Sequence, residues 1–231
     1  ILILSFFLNF NNFFSNDVII DAEKVDIKEN GNLIYAAGSV NITDNLNITI
    51  KGKEAIYNKQ TQVIEINNDV VFVDNVKNYK IKGDKIIFFR NTGIIEIKNN
   101  IILEDFLNNY EIFSNKIIYH QPKQSIKSFG DTKIDYKNEF SIFTKDIEFQ
   151  RDKKTFITKE NTQVKDTFEN TFDLSGFNFD LSRNLFKSRD IKLKDNEGNL
   201  LEIKNGYLDI NSNELVGADF NFIFSKNILG N

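Results

Sequence analysis

Residues 51–74, KGKEAIYNKQTQVIEINNDVVFVD, decide the fold of this chain. They predict a strand that ends near Tyr57, a polar turn over residues 58–60 and a long second strand over residues 63–74. A strand sends alternate side chains to opposite faces, and the second strand alternates in this way, with Asn68 interrupting its apolar face. That face consists of Ile64, Ile66, Val70 and Phe72. The stretch therefore predicts a β-hairpin with one buried side.

The same pattern recurs along the chain every 29 to 31 residues. Each copy has a small or polar residue, an anchor, a residue of any kind and then an apolar residue. The anchors are Val40, Val70, Ile101, Thr132, Thr162, Ile191 and Phe220, of which the two threonines match less well. A second pattern with the same period opens each unit near Gly52, Gly83, Asn115, Lys145, Gly176 and Asn205. Two patterns with one period indicate a genuine repeat of about seven units.

The repeat predicts an all-β fold, because the apolar residues alternate with period two rather than 3.6. Each unit of about 30 residues supplies two strands, and the short turns between them favour antiparallel neighbours. Strands of about 12 residues would be about 40 Å long, and a glycine near the middle predicts a bulge or bend there. These glycines are Gly38, Gly52, Gly83, Gly130 and Gly176. The prediction is an elongated, twisted, antiparallel stack.

An acidic residue closes most units four positions after the anchor. These residues are Asp44, Asp74, Asp105, Asp166 and Asp195, whereas Tyr136 and Phe224 occupy this position in two other units. Calcium-binding roll repeats pack carboxylates and glycines into one short coil, and a single aspartate per unit is too sparse for that. We therefore predict solvated turn residues and no metal site.

The remaining chemistry of the sequence gives no support for an enzyme. The chain has no Cys, so thiol chemistry, disulfides and thiolate metal sites are excluded. No phosphate loop, nucleophile elbow or zinc-protease motif is present, and the single histidine, His120, lacks a convergent partner for acid–base work. A net charge of −4 with alternating signs argues against nucleic acid. We predict no catalytic residue and no cofactor.

The two ends of the chain differ from the repeat. Residues 1–16 begin ILILSFFLNFNNFFS, an apolar run without alternation that carries no charge. This composition predicts a signal peptide whose basic start is missing, with a buried first strand as the alternative. The β domain is expected over residues 17–231, and the chain is expected to be cut short at its C-terminus.

An apolar lane, made of the inward residues of the first units, is the one candidate binding feature. It can be a filled core or a trough for an apolar ligand, and periodicity does not distinguish the two. The candidate lipid-binding residues are Ile34, Val40, Ile42, Ile64, Ile66, Val70, Phe72, Ile95, Ile97, Ile101 and Leu103, with Ala36 beside them.

Two units resemble the OstA-like repeat of lipopolysaccharide-transport proteins. The matching segments are AEKVDI and IYAAGSVNITD within residues 22–44, and GKEAIYNKQTQVIEINNDVVFVD over residues 52–74. They are similar to the family pattern ADK-x-x-Y-N-x-x-T-x-x-I-x-A-x-G-N-V-x-L-x-D. The resemblance extends over nearly all of residues 21–225 and is strongest in the first three units.

The resemblance implies a V-shaped β-jellyroll in the periplasm, associated with the cell outer membrane, whose interior cradles lipid A acyl chains while the sugars face water. It implies three partners: lipopolysaccharide, neighbouring OstA-like modules joined through edge strands, and the outer-membrane lipopolysaccharide-assembly lipoprotein. Members with cysteine pairs between jellyroll and barrel differ from this cysteine-free chain, which argues against disulfide-controlled assembly here.

Three assignments remain open. The closing stretch GYLDINSNELVGADFNF, residues 206–222, resembles the segment before the barrel of the family's outer-membrane assembly member. We therefore expect the N-terminal periplasmic part of such a protein, with its C-terminal barrel missing from this chain. The alternatives are the small periplasmic bridge protein of the same family and a structural β-solenoid or adhesin that binds no lipid.

Overall fold

The structure, a computed structural model, describes residues 18–44, 48–212 and 214–225. The predicted signal segment and the last six residues lie outside this range. The described residues form strands joined by turns, with one short 3₁₀ turn at Glu29–Gly31. The strands are β1 (Val18–Asp21), β2 (Lys24–Lys28), β3 (Leu33–Asp44), β4 (Ile48–Asn58), β5 (Val63–Asp74), β6 (Tyr79–Phe89), β7 (Ile94–Asp105), β8 (Tyr110–His120), β9 (Ser125–Ser128), β10 (Asp131–Tyr136), β11 (Phe140–Lys145), β12 (Glu148–Gln150), β13 (Thr155–Asp166), β14 (Thr171–Asp180), β15 (Leu185–Lys194), β16 (Leu200–Asp209) and β17 (Glu214–Ile223).

The strands form one antiparallel sheet of 17 strands in which neighbours in sequence are neighbours in space. Three of the long strands are split in two: β1 and β2 both pair with β3, β9 and β10 both pair with β8, and β11 and β12 both pair with β13. The predicted all-β fold, its antiparallel order and the strand length of about 12 residues are confirmed, since β3, β5, β7 and β13 each have 12 residues.

A line of bulges crosses the sheet at the middle of the long strands, and we call it the hinge. In β5, Asn68 and Asp69 have φ angles of 67° and 53°, and the register with β6 shifts at this point. Both side chains are exposed, whereas Ile66 and Val70 on either side are buried. The predicted interruption of the apolar face by Asn68 is therefore wrong, because the bulge turns this residue out to solvent.

The glycines predicted at the strand centres lie at or beside the hinge, and in β4 the reason is steric. A Cβ atom added to Gly52 would lie 2.5 Å from Cγ2 of Ile66 on the neighbouring strand. Any larger residue would push this isoleucine out of the core, so the tight bend requires the missing side chain. Gly83 stands in the same relation to Ile97.

The hinge divides the sheet into two layers. Layer A contains β1, β10 and β11 with one half of every other long strand, and layer B contains β2, β9 and β12 with the other halves. Aromatic rings show that the inner faces of the layers pack on each other. Phe72 in layer A meets Tyr119 in layer B with ring centroids 6.3 Å apart, and Tyr136 in layer A meets Phe179 in layer B at 5.0 Å. The sheet is therefore folded onto itself along the hinge.

The two layers are displaced relative to each other along the stack. The layer A half of a strand packs against the layer B half of a strand that lies two or three places further along the sheet. For example, Tyr110 of β8 packs against Phe149 of β12 and Phe156 of β13. In this count β9 and β10 share one place, and β11 and β12 share the next. The first halves of layer B and the last halves of layer A consequently have no counterpart. The inward residues Val25 and Ile27 of β2 are 47% and 56% exposed for this reason.

The same displacement explains the one repeat anchor that does not fit. Six anchors, from Val40 to Ile191, are at most 4% exposed, whereas Phe220 on β17 is 49% exposed. Phe220 is exposed because no described strand of layer B covers the end of layer A. The two threonine anchors, Thr132 and Thr162, are buried despite their weaker match.

Candidate functional site: the interior between the two layers

The inner face of layer A is a continuous apolar ladder. Each strand contributes one residue to it, and each member is the direct cross-strand partner of the next. The members are Ile20, Ile42, Ile50, Phe72, Ile81, Leu103, Ile112, Ile134, Ile142, Val164, Phe172, Leu193, Leu201 and Phe222. No polar side chain interrupts this ladder between β1 and β17.

Layer B carries a second ladder that faces the first. Its members are Ile27, Ile34, Tyr57, Ile64, Phe88, Ile95, Tyr119, Ile126, Phe149, Phe156, Phe179, Phe186, Leu208 and Leu215. Aliphatic residues dominate its first half and phenylalanines its second half. Phe179 and Phe186 stack with centroids 3.8 Å apart, and Phe149 and Phe156 stack at 4.5 Å. The interior is thus bounded by hydrocarbon on both sides.

The sequence-predicted lane residues all belong to this interior. Ile34, at the N-terminal end where layer B is uncovered, is half-buried, and the other ten are at most 3% exposed. Val40, Ile42, Val70, Phe72, Ile101 and Leu103 come from layer A, and Ile34, Ile64, Ile66, Ile95 and Ile97 come from layer B. They pack as a core, so binding of lipid at these residues remains a prediction.

Sequence reasoning did not show which aromatic residues connect the layers. Tyr119, Phe149 and Phe179 reach across the interior to rings on the opposite layer. The increase in phenylalanine content after residue 150 was the available signal, but alternation alone does not tell which ring contacts which layer.

The side opposite the hinge, where the turns of the two layers meet, is the seam. Lys77 Nζ donates a hydrogen bond to the Tyr119 hydroxyl at 2.9 Å, and Arg151 Nη2 donates to the Lys77 carbonyl oxygen at 2.6 Å. The Arg151 guanidinium also lies 4.0 Å from the ring centroid of Tyr79. Burial, with the nearby Arg151 charge, lowers the pKa of Lys77. At the seam the two layers are joined by side-chain hydrogen bonds, whereas at the hinge the backbone itself runs from one layer into the other. The layers therefore separate more easily at the seam than at the hinge.

Two tyrosine hydroxyls are buried beside the seam without a hydrogen-bond partner among the described residues: those of Tyr79 and Tyr110. They flank Asp105 on three adjacent strands. Burial raises the pKa of both hydroxyls well above the usual value. Burial is the main cause, since it removes the water that would solvate an ionised phenolate, and the Asp105 carboxylate adds to it, while the Arg151 charge opposes the shift at Tyr79.

We expect the protein to lose stability as the pH rises above about 10, the pKa of an exposed tyrosine. Above this pH the unfolded chain releases protons that native Tyr79 and Tyr110 retain, so the free energy of unfolding falls by up to about 3 kcal/mol per pH unit. Urea unfolding from pH 8 to 11.5 measures this slope. The Tyr79→Phe/Tyr110→Phe double variant should fold at pH 8 about as stably as the parent and show a shallower alkaline loss. An identical slope in both proteins would contradict the assignment.

The aspartates that close the strands cap the turns that follow them. The Asp105 carboxylate accepts hydrogen bonds from the backbone N–H groups of Leu107 and Asn108, and Asp195 does the same for Glu197 and Asn199. The prediction of turn residues is confirmed, but not that all are solvated, since Asp105 is 1% exposed. Capping of the turn compensates for its burial.

The middle of the hinge is lined by buried hydroxyls in place of aliphatic side chains. Thr132 Oγ1 donates to Ser128 Oγ at 2.8 Å, and Thr144 and Thr162 share a hydrogen bond of 2.7 Å. Their mutual bonding satisfies groups that would otherwise be costly to bury. The threonine anchors of the repeat are therefore positions where hydroxyl pairs replace packing.

Two cavities lie at the hinge on the outer face of layer A. The larger, about 930 Å³, is lined by outward residues including Ile102, Phe113, Lys133 and Phe143, and the smaller, about 400 Å³, continues past Phe143. Both cavities lie on the outer face, whereas the lane residues of both layers point into the interior; of the lane residues only Ile101, beside the bulge, borders the larger cavity.

His120, the single histidine, lies at a turn in the described part of the chain. His120 ends β8, and its Nδ1 accepts a hydrogen bond from the Lys123 backbone N–H at 3.4 Å, as befits a turn residue. Among the described residues no group of three or more His, Asp or Glu is placed to hold a metal ion. In the same residues there is no helix of the length and apolar character needed to cross a membrane.

Comparison with known proteins gives structural matches and no sequence match. No family model and no curated protein matches the sequence. The chain is similar to a solved structure of LptH, the LptA homologous periplasmic component of the lipopolysaccharide transport device from Pseudomonas aeruginosa. The two chains are 12% identical with a TM-score of 0.44, over 49% of this chain and 82% of that chain. At this level the likeness supports no conclusion about this chain, whose fold rests on its own strands.

Proposed function

We propose that this chain is the periplasmic part of a lipopolysaccharide-assembly protein and passes lipopolysaccharide through its interior towards the outer membrane. The observation that carries the proposal is the pair of facing apolar ladders, which run from β1 to β17 with the layer B face uncovered at the first end and the layer A face uncovered at the last. The OstA-like resemblance of the repeat supplies the identity of the lipid. Within the family we favour the N-terminal domain of LptD.

The chemistry of the interior suits acyl chains. Hydrocarbon gains about 25 cal/mol for each Å² removed from water and needs no directional contact. Ladders built from Ile, Val, Leu and Phe provide this and leave the sugars and phosphates to the solvent side. Because the core is packed, entry of an acyl chain requires the layers to part, and the seam is the side where few side-chain bonds oppose this.

The edges of the sheet supply the second part of the proposal. In the registers of the described strands, β1 and β2 pair only with β3, and β17 pairs only with β16. Their free backbone groups can pair with neighbouring OstA-like modules, which would extend one sheet across the periplasm. The uncovered Val25 and Ile27 at one end and Phe220 and Phe222 at the other would be covered by such neighbours. The outer-membrane lipopolysaccharide-assembly lipoprotein is the remaining proposed partner.

Photo-crosslinking in cells tests the lipid path. A photoreactive residue at Phe72 or Leu103, inside the layer A ladder, should label lipopolysaccharide. The neighbouring positions Val73 and Ile102, whose side chains point to the outer face, are matched controls and should label little. Labelling that is absent at Phe72 and Leu103, or equal at all four positions, would favour a structural solenoid or adhesin that binds no lipid.

The runner-up is the small LptA-like bridge protein, which shares the repeat and the ligand. The gene beyond Asn231 separates the two assignments. A long continuation with alternating apolar residues would support the LptD-like assignment, and an early stop codon would support the bridge protein.

A further inference from the structure

The turns at the two lips of the seam differ in chemistry. We call the turns that end layer A rim A and those that end layer B rim B. The rim A turns with described conformations span residues 75–78, 106–109, 137–139, 167–170 and 195–199. Five turns of rim B span residues 59–62, 90–93, 121–124, 151–154 and 181–184. The alternation of rims along the chain follows directly from the up-and-down order of the strands.

The five rim B turns concentrate positive charge. They contain Lys59, Arg90, Lys123, Arg151, Lys153, Lys154 and Arg183, and their one carboxylate is Asp152. The whole chain has a net charge of −4, so this rim is an exception to the composition of the protein. Successive turns of one rim are two strands apart, or about 10 Å. The cations therefore form a row rather than a cluster.

Rim A presents apolar tips. Val76, Phe106, Leu107 and Phe168 are 64%, 66%, 67% and 73% exposed. They stand at the ends of turns, where exposed large apolar side chains serve no packing purpose within this chain. A pair of adjacent exposed residues, as at Phe106 and Leu107, is costly in water and indicates a partner that covers it.

The apolar tips and the cations lie on one face of the molecule. Arg151 donates to the carbonyl oxygen of Lys77, which follows Val76 in its turn. Tyr110, directly after the turn that carries Phe106 and Leu107, has its ring 5.3 Å from Phe149 and 5.0 Å from Phe156, which flank the turn of residues 151–154. The tips of rim A thus stand beside Arg151, Lys153 and Lys154 of rim B.

We propose that the seam docks onto an anionic lipid bilayer, with Phe106 and Leu107 entering the headgroup region and Lys123, Lys153 and Lys154 against lipid phosphates. Apolar side chains flanked by cations are the combination that holds proteins at a membrane interface. A bilayer offers negative charge along the whole row, and it accepts tips on separate turns without a shaped pocket. A protein partner would need a contiguous buried patch of about 800 Å², which separate tips do not form.

This docking surface goes beyond the proposed lipid carriage and does not depend on it. The tested vesicles contain no lipopolysaccharide, and the substituted residues lie outside the interior ladders. A failure of docking leaves the crosslinking result at Phe72 and Leu103 unaffected, and the reverse also holds.

Vesicle flotation of the full chain tests the proposal. The protein should bind vesicles of phosphatidylcholine with phosphatidylglycerol, should not bind phosphatidylcholine alone, and should lose binding at high salt. The Lys123→Glu/Lys153→Glu/Lys154→Glu variant should bind about 100-fold more weakly. The Phe106→Ser/Leu107→Ser variant should bind about tenfold more weakly, from the loss of its inserted hydrocarbon.

Matched controls distinguish binding by this surface from a general effect of net charge or of exposed apolar side chains. Lys159, Lys187 and Lys204 are exposed on the strands, and their replacement by glutamate changes the net charge equally but should leave most binding intact. Phe129→Ser removes an apolar side chain that is 38% exposed and lies at the hinge, between β9 and β10. Far-ultraviolet circular dichroism checks that all variants fold. The proposal is overturned by no binding to the anionic vesicles, by equal losses in seam and control variants, or by binding to polyglutamate but not to vesicles.

Discussion

Replacing Val70 by aspartate is expected to unfold the region around β5. Val70 is 1% exposed, and its neighbours across the sheet and across the interior are apolar. An unpaired carboxylate at this position either stays charged without solvation or takes up a proton, and either way the free energy of unfolding should fall by about 4 kcal/mol or more. Urea unfolding followed by circular dichroism measures the loss.

The neighbouring residue supplies the control for this prediction. Val71 points to the outer face, where its direct cross-strand partners are Lys51 and Lys82. Val71→Asp places the same carboxylate between two cations and should change the stability by less than about 1 kcal/mol. Equal losses at both positions would mean that β5 does not have the sidedness described here. If Val70→Asp has the stability of the parent, Val70 does not lie in the packed core.

Truncation of Phe179 to alanine is the second change with a large expected effect. Its ring stacks on Phe186 within layer B and meets Tyr136 of layer A edge-on, so it connects the layers. Removing it deletes a fully buried ring and leaves a cavity, at an expected cost of about 3 to 5 kcal/mol. Thermal or urea unfolding of the variant measures this cost.

Phe168 is the matched comparison because it is 73% exposed at a turn tip. Phe168→Ala should leave the stability within about 0.5 kcal/mol of the parent. A large loss at Phe168, or a negligible one at Phe179, would show that the two layers do not pack through the aromatic half of the layer B ladder.

Much of the fold can be predicted from the sequence, because strand alternation and turn signals involve residues that are close together in the chain. Alternation over Ile64, Ile66, Val70 and Phe72 is sufficient to give strand, sidedness and burial. Asn30 and Gly31, a residue pair typical of tight hairpin turns, lie in the turn that joins β2 to β3. Gly52 also predicted a bend at the hinge, since a glycine within a strand marks a bulge or a close approach of two backbones.

What the sequence could not give is the pairing between layers. Alternation states that Phe72 points inward but not that it meets Tyr119, which lies 47 residues later in the numbering. The exposure of Phe220 could not be predicted for the same reason, because the anchor pattern does not show whether a strand of the other layer covers the residue. The sequence also did not predict the seam, since successive turns on the same rim are separated by two strands in the sequence.

The displacement between the layers affects how the chain is completed as it is made. A strand can pair with its lateral neighbour as soon as both have been made, but the strand of the other layer that packs on it comes later in the chain. Lys77 and Arg151, which form a hydrogen bond between the layers, are 74 residues apart. During synthesis from the N-terminus, the inner face of the layer A half of each new strand therefore stays exposed until the later strand that packs on it has been made.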